Sequence, residues 1–140
     1  MLLTELLHPE MLSALAAAGH GGRVLIADGH YPGSTAVGLN ARTVHLNLTP
    51  GLLDVSTVLD VLLRAVPVES ATVMLPPPEE PEPVAIGAHR RRLDPIDLDG
   101  LDRFAFYDLA RSDDVALAVI TADTRTYANI LLTIGVRSTL

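Results

Sequence analysis

Short aliphatic runs punctuate this chain at Arg23 to Ala27, Val44 to Leu48, Ala71 to Leu75, Val115 to Thr121 and Ala128 to Ile134. Segments of helical spacing fall between them. Strand-like runs alternating with helical ones are the pattern of an α/β fold.

The local signals fill in that outline. His8-Pro9-Glu10 suits a helix start, with proline in the first turn and an acid near the positive end of the dipole. Met11, Leu12, Leu15 and Ala16 supply its apolar face, and Gly19 is expected to end it as a left-handed cap. Asp28 to Arg42, rich in Gly, Ser and Pro, predicts a loop. Thr49-Pro50-Gly51 predicts a turn, and a helix is expected from Leu52 through Val66. Between Pro76 and Pro83 five prolines remove backbone donors and fix φ, so residues 76–83 are expected to form an extended acidic loop. A short helix is predicted over Asp102 to Ala110. No repeat interrupts the pattern, and one domain spanning 1–140 is the expectation at this length.

Composition narrows the function classes. The chain is 49% hydrophobic but only 4% aromatic, and no window approaches the roughly 18 uninterrupted apolar residues of a membrane span. So much aliphatic surface on a small subunit predicts a soluble homo-oligomer. A formal charge of −7, from 17 acids against 10 Lys plus Arg, argues against nucleic acid and anionic membranes. The basic run His89-Arg90-Arg91-Arg92 reads as a solvated helix end. Without cysteine there is no disulfide, thiol catalysis or Cys-ligated zinc. No signal peptide is evident at Met1-Leu2-Leu3-Thr4-Glu5, and the cytoplasm is the expected compartment.

The residues able to do chemistry sit towards the two ends. His20 follows the capping glycine and could serve as a proton shuttle or be an ordinary loop histidine. Asp28 ends an apolar strand, where α/β proteins place their sites, yet an aspartate there also starts turns. Gly29 would let the backbone turn away from it. His30 could be a second acid/base, a metal ligand or a loop residue. Tyr127 and Asn129, two apart, share a face if the segment is a strand, and could read a polyhydroxylated ligand. Arg103 is a cation at a helix start, against the dipole, which suits either a function or a surface ion pair. Phosphate-cradling glycine loops and the Gly-x-Ser-x-Gly elbow are missing.

Gly19-His20-Gly21, Asp28-Gly29-His30-Tyr31-Pro32, Arg103-Phe104-Ala105-Phe106-Tyr107 and Tyr127-Ala128-Asn129-Ile130-Leu131-Leu132 with Gly135-Val136 together resemble the ribose pyranase/fucose mutarotase family. The resemblance runs in register over nearly the whole chain. The second and third motifs look like the fucose branch, while Leu48-Thr49-Pro50-Gly51 looks closer to the ribose branch. Gly22 stands where an acid is usual, and the proline tract is a further departure.

The resemblance implies a three-layer α/β/α subunit with a central mixed sheet, and a homo-oligomer, a decamer or pentameric ring, with sites near subunit boundaries. It implies a monosaccharide such as L-fucose or D-ribose as substrate and no cofactor or metal. Carried over by motif, His20 is the general acid, and Asp28, Arg103, Tyr127, Ala128 and Asn129 bind the sugar. Two rivals remain open from the residues: a metal-dependent hydrolase or isomerase using His20, Asp28 and His30, and a non-catalytic sugar-binding subunit.

Overall fold

The computed structural model describes residues 1–139. Helix α1 runs Pro9–Ala18, with Pro9 in its first turn and the His8 imidazole accepting the Met11 N–H. Gly19 does take a positive φ of 70°, but its ψ of −173° sends the chain out extended, so it is not a left-handed helical cap. Strand β1 (Arg23–Ala27) follows, then a loop, then β2 (Arg42–His45). The predicted strand at 44–48 is thus shifted towards the amino end.

Helix α2 (Val55–Leu63) starts later than the expected Leu52, because the Asp54 carboxylate caps it by accepting the Thr57 N–H. Strand β3 is Val68–Met74. The proline-rich segment carries neither helix nor strand before α3 (Val84–Leu93) begins. Strand β4 (Leu98–Leu101), which the sequence reading omitted, leads into α4 (Arg103–Ala110). Strands β5 (Val115–Ile120) and β6 (Ile130–Ile134) complete the chain.

The six strands form one mixed sheet in the order β2-β5-β1-β6-β3-β4. Strand β6 is antiparallel to both neighbours, β1 and β3, while the remaining pairs are parallel. Side chains alternate across the sheet as the period of two requires. Val24 and Ile26 join residues of α1, α2 and α3 in one core, whereas Leu25 and Ala27 join Tyr31, Phe106 and Ala110 in the other. Hence α1–α3 cover one face, and α4 with the loop after β1 covers the other: the α/β/α layering that the resemblance implied. Val24 to Ala27 are wholly buried; each large aliphatic among them contributes about 1.5–3 kcal/mol by leaving water.

The topology fixes where a site can form. Because β6 runs against β1 and β3, its amino end lies beside their carboxyl ends, with Ile130 paired to both Ile26 and Val73. Strand β4 ends at the same edge, with Leu101 paired to Met74, and delivers the start of α4 there. Residues from opposite halves of the sequence therefore converge at one end of the sheet.

Candidate active site

That end holds a cavity of about 270 Å³ lined by Asp28, His30, Tyr31, Met74, Arg103, Tyr107, Thr126, Tyr127 and Asn129. Asp28 is its most constrained member. The Asn129 carboxamide oxygen accepts the Asp28 N–H at 2.7 Å, and Asp28 Oδ2 accepts the Ala128 N–H at 3.2 Å. Asp28 Oδ1 accepts the His30 N–H at 2.9 Å. The aspartate both holds a turn and lines the cavity. With only 2% of Asp28 exposed, burial raises its pKa above the ordinary aspartate value, against the opposing pull of the His30 and Ala128 N–H groups.

Gly29 matters for proximity and not for a special turn: a Cβ there would lie 3.1 Å from the Asp123 carbonyl oxygen, which accepts the Gly29 N–H. Tyr127 and Asn129 do share the cavity wall, but ahead of β6 and not within it. Tyr127 has a φ of 55°, a left-handed conformation uncommon for a bulky side chain. Ala128 is buried and reaches the cavity's carboxylate through its backbone alone.

Arg103 resolves its conflict with the helix dipole through its neighbours. Asp102 caps α4 with one carboxylate oxygen, accepting the N–H groups of Phe104 and Ala105, each at 3.0 Å. The Arg103 guanidinium folds over the Phe104 and Tyr107 rings and donates from Nε to the Tyr107 hydroxyl at 3.1 Å. It stands on the cavity wall as a cation braced by aromatics. Tyr31 packs edge-on against Tyr107 and donates its hydroxyl hydrogen to the Ala36 carbonyl, and burial raises its pKa.

His20 is elsewhere. It precedes β1 while Asp28 follows it, and a five-residue strand spans about 16 Å. The site that one rival reading builds from His20 and Asp28 does not form within one chain. The imidazole instead lines a separate cavity with Asn40 and Asp113, and its Nε2 lies 2.9 Å from Glu69 Oε2 of β3. Glu69 thus supplies the acidic neighbour that Gly22 lacks. His20, Asp28 and His30 do not converge, and no group of three or more metal-ligating side chains forms among the described residues.

Two buried residues escaped the sequence reading. Asp123 accepts the Val55 N–H of α2 at 2.9 Å and takes three bonds from Arg125, whose Nη2 also reaches Ser56. Burial raises the Asp123 pKa, but these donors outweigh it and hold the carboxyl below its ordinary value. An Asp just after a buried strand, with Arg two places on, was the available signal. His89, read as part of a solvated helix end, is fully buried and bonds the Ala128 carbonyl oxygen at 2.7 Å. Arg90 and Arg92, beside it, do reach surface acids, Glu82 and Asp60.

The profile of the RbsD / FucU transport protein family matches residues 1–137. The chain belongs to the RbsD/FucU family. It is 29% identical over 147 aligned positions to the fucose mutarotase of Mus musculus, covering 95% of this chain and 92% of that one. The D-ribose pyranase of Variovorax paradoxus is 38% identical over 73 residues, 52% of each chain. The fold superposes on the Streptococcus pneumoniae fucose mutarotase crystallised with L-fucose, with a TM-score of 0.80, 25% identity and 94% of each chain covered. Bacillus subtilis RbsD, complexed with D-ribose, matches with a TM-score of 0.82 at 23% identity, over 99% of this chain and all of that one. No helix among the described residues of this family member is long and apolar enough to cross a membrane.

Proposed function

We propose that this chain, as one mutarotase-like domain over residues 1–140, is a cytoplasmic sugar mutarotase that opens and recloses the hemiacetal ring of a free aldose such as L-fucose or D-ribose. The observation carrying this reading is the cavity where Asp28, Arg103, Tyr127 and Asn129 meet, in a family whose relatives are a fucose mutarotase and a ribose pyranase. A carboxylate, a guanidinium, a phenol and a carboxamide together accept from and donate to several hydroxyls at once.

Ring opening needs a proton delivered to the ring oxygen and one taken from the anomeric hydroxyl. In this reading Asp28, its basicity raised by burial, takes the proton of the anomeric hydroxyl, while the Ala128 backbone keeps it in place. His20 delivers the proton from a neighbouring copy of the chain, across a subunit boundary. Two observations support a second copy: the His20 side chain is 59% exposed, and large apolar side chains including Leu3, Leu39, Leu48 and Phe104 are exposed on one chain. A decamer built from rings accommodates such shared sites. A positioned acid/base contributes about 10²–10⁴-fold, which suits a reaction that already proceeds slowly in water.

A second reading comes from His30, which lines the same cavity as Asp28. Its Nε2 lies 3.1 Å from the Thr124 carbonyl oxygen, an acceptor, so the neutral ring presents Nδ1 as a base. Here the proton chemistry stays within one chain.

Saturation-transfer NMR on fucose, ribose and galactose tests both readings. The first expects His20→Ala to lose exchange and to be rescued by mixing with inactive Asp28→Asn subunits, to about a quarter of parental activity if copies reassort at random. If His30→Ala loses exchange while His20→Ala keeps it, the second reading replaces the first. A parent protein that accelerates exchange of none of these sugars ends both.

A further inference from the structure

The peptide segment that carries Tyr127 and Asn129 is gripped from both faces of the sheet. On the cavity face, the Ala128 N–H donates to Asp28 Oδ2. On the far face, Ala128's carbonyl oxygen accepts from His89 Nε2 at 2.7 Å. Helix α3, which carries His89, packs in the core opposite to the one containing Tyr31 and Tyr127. A left-handed Tyr127 is strained and persists only where its surroundings hold it. The two grips on Ala128 are such surroundings.

We propose that His89 is a positioning residue for the sugar site: from the far side of the sheet it fixes the turn that aims Tyr127 and Asn129 into the cavity. The inference rests on the sugar-site reading above and adds a residue that does not touch the ligand. A carbonyl can only accept, so Nε2 carries the ring hydrogen and Nδ1 keeps the lone pair. That Nδ1 is buried with no partner, so protonation would create a donor with nothing to receive it. The charged groups that bear on the ring agree in sign for the most part. Arg92 of its own helix and Arg125 of the β5–β6 connection disfavour a positive ring, while Asp123 of that connection partly offsets them. Burial is the largest influence and lowers the His89 pKa. The Ala128 hydrogen bond favours the protonated ring but burial outweighs it, so the pocket is built for the neutral form and acid works against the buried imidazole.

Two variants separate positioning from simple filling of space. His89→Phe keeps a ring but loses the hydrogen bond; His89→Gln offers an amide N–H at nearly the place of imidazole Nε2. Expected are a KM for the sugar raised about tenfold in His89→Phe with kcat within about threefold, and recovery to within about threefold of the parent in His89→Gln. Hydrogen exchange of the Ala128 amide, measured without sugar, is expected to quicken about tenfold in His89→Phe and to be restored in His89→Gln. The parent's acid-side loss of sugar affinity should be shallower in His89→Gln. The proposal is overturned if His89→Phe keeps both the parental KM and the parental Ala128 protection, or if the two variants are equally impaired. Should His89→Phe not fold, an acid limb identical in the parent and His89→Gln overturns it. Because the Ala128 exchange needs no sugar, it judges the grip even if the mutarotase reading fails.

Discussion

The two ends of β1 are built on opposite plans. At the carboxyl end, Asp28 is nearly inaccessible and its polar atoms are matched to Asn129, Ala128 and His30 at 2.7 to 3.2 Å. At the amino end, His20 sits among Gly19, Gly21 and Gly22, more than half exposed, with a surface carboxylate for company. One end is fixed before any ligand arrives; the other is presented outward. In the proposed reaction, the rigid end would recognise the sugar and the exposed end of a second copy would bring the proton.

The sharpest way to break this contrast is at the rigid end. Asp28→Ala leaves the buried Ala128 N–H without an acceptor, at a cost of about 1–3 kcal/mol, and also takes away the acceptor of the part-buried His30 N–H. We expect a clear fall in Tm and loss of measurable exchange, by calorimetry and saturation-transfer NMR. Parental Tm in this variant would show that the carboxyl end is less rigid than its bonds imply. At the exposed end, His20→Ala should cut exchange about 10²–10⁴-fold while circular dichroism finds Tm unchanged. A destabilised His20→Ala would erase the distinction between the ends.

A smaller effect comes from pH. The folded-state pKa of His89 is depressed, so as pH falls the unfolded chain takes up its proton first. The stability this group contributes is whole above its unfolded pKa of about 6.5 and is lost as pH drops towards the folded value. Asp28, with its pKa raised, acts in the reverse sense and favours the fold as acid is added. Melting curves from pH 7.5 to 5 should therefore slope downward with acid in the parent and less so in His89→Gln. The least effect is expected from Glu69→Gln: an ion pair with side chains 46% and 59% exposed is worth within about 0.5 kcal/mol. Chemical denaturation should barely register it, whereas a large loss would mean that the amino end is structured like the other.

Much of the fold was legible because most elements carry strong local signals. Arg23 to Ala27 and Val115 to Ile120 are buried aliphatic runs, and His8-Pro9 marks a helix start. Strand β4 was not, because Leu98-Asp99-Gly100-Leu101 is an edge whose middle residues are exposed and whose glycine has no strand preference. At the site, motif resemblance identified Asp28, Arg103, Tyr127 and Asn129, which do line one cavity. It could not show that His20 lies at the far end of β1, since sequence nearness across a strand says nothing about which edge a residue occupies. His89 was hidden by the three arginines beside it: one turn of helix places His89 inward while Arg90 and Arg92 reach the surface. Met74 reaches the cavity through the pairing of β3 with β6, which no local window contains.

The central place of β6 bears on how the protein is made. Its last strand is the seam between β2-β5-β1 and β3-β4, so a chain still on the ribosome holds two half-sheets with open edges, prone to stray pairing. Asp28 has only its local His30 N–H to hold until a segment 101 residues downstream is synthesised. A chain that stops before that point lacks the strand joining the two halves of the sheet and the segment that completes the Asp28 cavity.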